Sequence, residues 1–424
     1  MLAYRALFAL TLAGYAPWAL ARSLLGRRRM GDIRGRLGKS PYPDLAGGVW
    51  IHAVSVGEVG VARHLLRALR NRLPDGRFGV SATTEAGRAL AESTLASQAS
   101  VFAFPFDLAG PVERALNGVR PGLILLIETE IWPLFLERAG SRGIPVALTN
   151  GRISERSFRR YRLARRWLAP TLSRIALFAM QSQEDARRIE ALGAPPERVR
   201  VTGNLKYDLE PPAPFPDAER LREAAAGRPV LVAGSTGEGE EALVLDAWSR
   251  LPRRPLLVLA PRRPERFDGV AELVESRGLR LSRRSAPDSR TPTPDVFLLD
   301  SIGELGSVYR EAAVAFIGGS LVPSGGQNPI EAWAAGVPVI AGPHMENFRD
   351  VAARGEDLGL LSRVPDAAAL APAIAAALDA PEETARRGQE AARFVAASRG
   401  AAETTAGAAL ALAPALARGP VSAR

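Results

Sequence analysis

The stretch "FIGGSLVPSGGQNPIEAWAAGVPVIAGPH", residues 316–344, reads as an apolar strand, a glycine-rich loop, a helix and a second apolar strand. Gly318, Gly319, Gly325 and Gly326 flank the loop, and Asn328 and Pro329 open the helix. Proline suits the first helical position because its missing N–H has no intrahelical partner there. Glycine-rich backbone leading into a helix N-terminus suits a phosphate, and Glu331 in the first turn suits sugar hydroxyls. Strand, loop, helix and strand in this order are one unit of a parallel α/β sheet.

The same alternation extends both ways along the chain. Strands are expected at "VWIHAVS", "FGVSATT", "SVFAFPF", "GLILLIETE", "IPVALTN", "IALFAMQS" and "VRVTGN", then at "RPVLVAGST", "RPLLVLAP", "PDVFLLD", residues 312–320 and "GVPVIAGP". Between the two sets, prolines at 211, 212, 214 and 216 interrupt all apolar periodicity and mark a domain boundary. The expected architecture is α/β with two Rossmann-like, doubly wound domains. Their bounds are 41–208 and 228–400, joined by a proline-rich linker at 209–227, with an alanine-rich helical tail at 401–424.

The 424 residues are 47% hydrophobic and 24% charged, which suits globular cores, and there is no cysteine. Disulfides, thiolate metal sites and cysteine nucleophiles are thereby excluded. The formal charge of +10 is concentrated in two places. Residues 6–21 carry no charge and precede Arg22, Arg27, Arg28, Arg29, Arg34, Arg36 and Lys39, so residues 1–40 read as a membrane anchor, either a marginal span or an in-plane segment, with a basic collar on the cytoplasmic side, the plainer alternative being an ordinary amphipathic first helix. Seven arginines between Arg152 and Arg166 share a segment with Phe158, Tyr161 and Leu168, spaced for one helical face; lipid headgroups or plain solvent fit this helix equally. No nucleic-acid motif accompanies these charges.

In doubly wound sheets ligands gather at the carboxyl ends of strands, so the loops there carry the chemistry. "HAVSVGEV" brings Glu58 to a helix N-terminus, where a carboxylate either caps the helix or, with Gly57 letting the backbone approach, meets a ligand. "LLIETEIWP" places Glu128 and Glu130 at a strand end; were the strand to continue, the pair would face opposite sides. "LAPRRPERF" sets Arg262 and Arg263 after a strand, where guanidinium forks suit phosphate. Lys206, one of two lysines in the chain, stands in "GNLKYD" just before the linker. Neither GxxxxGK[ST] nor a well-placed GxGxxG occurs, against an ATPase or a dehydrogenase. His52, His64 and His344 form no metal-ligand spacing, so proton transfer falls to a carboxylate.

The ordered set "HAVSVGEV", "ETEIWP", "GNLKYD", "AGSTGEGEE", "APRRPERF", "IGELGSVY" and the stretch from Phe316 resembles the 3-deoxy-D-manno-octulosonic acid (Kdo) transferases of lipopolysaccharide synthesis. The resemblance implies a GT-B fold with the active site in the cleft between an acceptor-binding first domain and a CMP-sugar-binding second one. It implies inverting transfer of Kdo from CMP-Kdo to a lipid A precursor, lipid IVA, at the cytoplasmic face of the inner membrane, with no metal and no further cofactor. Glu58 matches the family's general base, and Glu128 and Lys206 match positions credited with stabilising the transition state. Pro261 and Arg262, then Ile302, Gly303 and Glu304, then Asn328, Pro329, Ile330 and Glu331 match the segments that hold CMP. Gly237, Arg263 and Gln327 stand where relatives commonly have His. Two other readings share parts of this pattern: another GT-B nucleotide-sugar transferase or epimerase, and a degenerate protein that binds membrane lipid.

Overall fold

The computed structural model describes residues 33–286 and 292–418. The anchor and most of its basic collar lie outside these residues. Among the described residues no helix is long and apolar enough to cross a membrane.

The chain forms two units, one running to Asp208 and resuming at Ser398, the other Leu209–Ala397. The first holds β1 (Val49–Ala53), β2 (Phe78–Ala82), β3 (Ser100–Ala103), β4 (Leu123–Ile127), β5 (Val146–Gly151), β6 (Leu177–Met180) and β7 (Val199–Val201). All pair in parallel in the order β3-β2-β1-β4-β5-β6-β7. The central strands β1 (VWIHA) and β4 (LILLI) are buried at every position, because helices cover both faces of the sheet. Alternate residues feed two cores: Ile51 and Leu125 pack with Leu65 and Leu69 of helix Val56–Arg72, whereas Trp50 packs with Phe102, Phe104 and Phe135. The Trp50 indole N–H donates to Ser81 Oγ at 2.7 Å, so its burial strands no polar atom.

The second unit repeats the plan with β8 (Val230–Thr236), β9 (Leu256–Pro261), β10 (Leu281–Arg283), β11 (Val296–Leu298), β12 (Val314–Ile317), β13 (Val339–Ala341) and β14 (Leu361–Arg363). The order is β10-β11-β9-β8-β12-β13-β14, again parallel. The sequence pattern missed β10 and β14, which both read LSR. They are edge strands, and an edge needs no continuous apolar run.

The arginine-rich segment is two helices, Glu155–Leu163 and Arg165–Leu172, broken at Ala164. Phe158 and Leu168 pack on the core, but Tyr161 is exposed, so the three do not share one buried face. The last helix, Ala401–Leu410, lays Ala402, Ala406 and Ala409 against the helix Val56–Arg72.

Sheet order reverses between β1 and β4 in the first unit and between β8 and β12 in the second. The loops leaving these four strands open at the two switch points, where doubly wound sheets bind ligands.

Candidate active site

At the first switch point, helix Val56–Arg72 starts directly after β1 with Ser55 as its N-cap. Glu58, 8% exposed, accepts a hydrogen bond from the Val54 N–H at 2.7 Å and one from Ser55 Oγ at 3.0 Å. The carboxylate thus folds back on the two residues that lead into its helix and satisfies none of the helix's own free N–H groups. Burial nevertheless pushes it up to about 7, with the charges of Glu128 and Glu130 pushing the same way. A carboxyl whose pKa lies near the working pH is what a general base needs. Gly57 is not a turn: it lies inside the first helical turn, and a Cβ there would meet only Ser55 Oγ at 3.9 Å.

β4 ends at Ile127, and Glu128 takes a left-handed φ of 59°. The strand therefore does not continue through the ETE tripeptide, and the face-alternation expected for Glu128 and Glu130 is lost. Glu128 instead receives two cations: Lys206 Nζ at 3.5 Å from Oε1 and Arg152 Nε at 3.1 Å from Oε2. Arg152 leaves β5, and in the sequence it merges with the arginines that follow. Burial, then the Glu128 charge, push Glu130 up to about 7 as well. The Glu58, Glu128 and Lys206 of the sequence reading thus belong to one electrostatic group, and Glu130 and Arg152 join it.

Lys206 sits on the short turn Leu205–Tyr207. Asn204 Oδ1 accepts from its N–H at 3.0 Å, and Asn150 Oδ1, from the end of β5, accepts from the Leu205 N–H at 3.0 Å. The turn is framed by side chains because it has too few residues to satisfy its own backbone.

In the second unit the glycines do something other than expected. Glu240, fully buried, accepts from the N–H groups of Gly237 at 2.9 Å, Gly319 at 2.5 Å, Ser320 at 3.0 Å and Leu321 at 2.9 Å. The anion cradle at the β12 exit is occupied by the protein's own carboxylate. Gly318 is required here, since a Cβ would lie 2.4 Å from the Ser235 carbonyl oxygen. Glu241 beside it is held by Thr236 Oγ1 at 2.7 Å and Arg266 Nη2 at 2.5 Å.

Arg262 and Arg263 leave β9 at Pro261, are exposed, and make no ion pair among the described residues, so both are open to an anion. Helix Ile330–Ala334 starts after Pro329, whose neighbour Asn328 accepts the Ile330 N–H through Oδ1 at 3.0 Å. Proline precedes the helix rather than opening it. Ile330 is buried and holds the helix to the core, while Glu331 is half-buried. Ile302 is 68% exposed beside Gly303, whose φ is 87°. Glu304 is bound by Arg284 at 3.0 Å and by Ser301; burial works against it, yet these hydrogen bonds hold its carboxyl below the usual range. No cluster of potential metal ligands occurs among the described residues.

A family model described as 3-Deoxy-D-manno-octulosonic-acid transferase (kdotransferase) matches residues 27–209, and one described as glycosyl transferases group 1 matches residues 289–394. The chain is 38% identical over 385 residues to a 3-deoxy-D-manno-octulosonic acid transferase of Bordetella pertussis, a match covering 86% of this chain and 89% of that one. A protein of the same description from Haemophilus influenzae is 34% identical over 386 residues, covering 88% and 89%. Among solved structures, Anabaena Alr3699/HepE in complex with UDP aligns with a TM-score of 0.55 at 16% identity, covering 87% of this chain and all of that one, a likeness of fold alone.

Proposed function

This chain belongs to the 3-deoxy-D-manno-octulosonic acid (Kdo) transferases, and from that premise we propose that it is an inverting GT-B glycosyltransferase moving Kdo from CMP-Kdo to a lipid A precursor. The observation that carries the residue assignment is Glu58, a carboxyl lifted to about 7 by burial at the switch point of the first sheet.

In this reading a hydroxyl oxygen of the acceptor attacks the anomeric carbon of Kdo while the bond from that carbon to the CMP phosphate oxygen breaks. Glu58 takes the hydroxyl proton, and CMP leaves with the bonding electrons. Lys206, oriented by Glu128, meets the negative charge that develops as the donor cleaves, an interaction stronger in the transition state than before it. Arg262 suits the CMP phosphate as a planar fork. Pro261, Ile302, Gly303 and the segment Asn328–Glu331 shape the nucleotide site, with Glu304 spoken for by Arg284 and acting through its backbone position. No step calls on a metal.

A lipid acceptor asks for a membrane surface nearby. Leu163, 83% exposed, and Trp167, 79% exposed, stand among Arg162, Arg165 and Arg166 on the helices that follow Arg152. Exposed aromatic and basic side chains together suit the headgroup region of an anionic bilayer. With residues 6–21 as anchor, the protein would work at the cytoplasmic face of the inner membrane.

Purified protein offered CMP-Kdo or UDP-sugars with lipid IVA tests the donor and the product together. Release of CMP with a mass gain of the acceptor by one or more Kdo units is expected, and turnover of a UDP-sugar alone would refute the donor assignment.

A further inference from the structure

The chain passes between its units twice, leaving the first after Asp208 and returning at Ser398. Both passages meet at one side chain. Asp208 Oδ1 accepts from the Gly400 N–H at 2.5 Å, and its Oδ2 accepts from the Ala402 N–H. Asp208, 8% exposed, therefore caps a helix distant in sequence, Ala401–Leu410, at the end where a negative charge is favoured. Its carbonyl oxygen accepts from Arg67 Nη2 at 3.1 Å, and Arg67 belongs to the helix that carries Glu58. One residue thus ties together the returning helix, the Glu58 helix and the turn that presents Lys206.

Two further contacts point the same way. Thr405 Oγ1 bonds Thr202 Oγ1 at 2.9 Å, just ahead of the lysine turn. Leu205, fully buried, packs in the same core as Ala401 and Ala402. The turn Leu205–Tyr207 is thus held by the Asn150 and Asn204 side chains on the residues that lead into it and by this clasp on the residue that follows it. A flexible lysine stem is accurate only when its backbone is fixed, and misplacement by about 1 Å costs about a hundredfold in rate.

We propose that Asp208 is a positioning residue for the transfer reaction, holding the Lys206 turn through the helix Ala401–Leu410. The proposal rests on the catalytic reading of Lys206 given above. Asp208→Asn replaces one acceptor oxygen with an NH2 that faces a backbone N–H. It is expected to lower kcat about tenfold or more while the KM for CMP-Kdo stays within about twofold.

The test is a double-mutant cycle in the full-length protein, with kcat, KM and thermal unfolding measured for Asp208→Asn, Lys206→Ala and the pair. Acting through Lys206, the Asp208 substitution costs nothing further once the lysine is gone; a purely structural residue would cost the same in both backgrounds. Glu403→Ala removes the exposed Arg72 pair on the same helix and is expected to leave kcat unchanged. Should Asp208→Asn fail to fold, Thr202→Val breaks the neighbouring bond and is expected to give a smaller drop of the same kind. Wild-type kcat in whichever variant folds, with Lys206→Ala strongly impaired, overturns this inference alone. Full activity of Lys206→Ala overturns the catalytic reading of the lysine itself.

Discussion

Lys206 Nζ stands 3.5 Å from Glu128 Oε1, with the two side chains 13% and 16% exposed. Arg152 holds the other oxygen of the same carboxylate, so the lysine is oriented by a partner that is itself fixed. A compact ammonium in that position can follow charge as it moves, whereas a planar guanidinium favours a fixed two-point geometry on its partner. Lys206→Arg is therefore expected to lower kcat about tenfold or more despite keeping its charge, and Lys206→Ala about a hundredfold. Steady-state kinetics with CMP-Kdo decide it, and near-normal turnover by the arginine variant would return the lysine to coincidence.

Glu58 accepts a proton only when ionised, so kcat/KM is expected to rise with pH and level off above about 7. The Glu130 charge contributes to that value, so Glu130→Gln should move the acid limb to lower pH. An unmoved limb in this variant would separate Glu130 from the base. The same shift has a consequence for stability. Because the folded carboxyl binds its proton more tightly than the unfolded one, its contribution is full below 4.5 and is lost as pH rises through about 7. Glu58→Gln should therefore unfold at a higher temperature than the wild type at pH 8, with the gap closing toward pH 4.

Arg262 offers its guanidinium to no protein carboxylate among the described residues. Arg262→Ala is expected to raise the KM for CMP-Kdo and the Kd for CMP about 10- to 100-fold, the range of a lost hydrogen bond between charged groups. Calorimetric titration with CMP measures it without turnover, and unchanged affinity would move the phosphate elsewhere.

Glu240 binds four backbone N–H groups with no exposure to water. Glu240→Gln turns an acceptor into a donor against them and should cost about 2–4 kcal/mol, read as a lower Tm. A Tm within a degree of the wild type would mean that the loop is held by other contacts.

Much of this was legible before the fold was known. The strands of both sheets announce themselves where helices cover both faces, as in VWIHA and LILLI, and fall silent at the edges, where the two LSR strands carry an arginine each. Glu58 and Glu128 could be found because each follows a central strand. Arg152 could not, since nothing local distinguishes it from six other arginines; only the adjacency of the β4 and β5 exits brings it to Glu128. Glu240 was hidden for a related reason. Glycines at the β12 exit signal an anion, but that the anion is a side chain from the β8 exit is a fact of sheet order. Asp208 likewise meets its partners 192 and 194 residues away in sequence.

The central claim is that Glu58 is the base for the acceptor hydroxyl. Turnover of CMP-Kdo and lipid IVA by Glu58→Gln, with CMP binding measured on the same preparation, tests it most directly. The expected result is a kcat lower by about 100-fold or more with CMP affinity unchanged; full activity in the folded variant would contradict it.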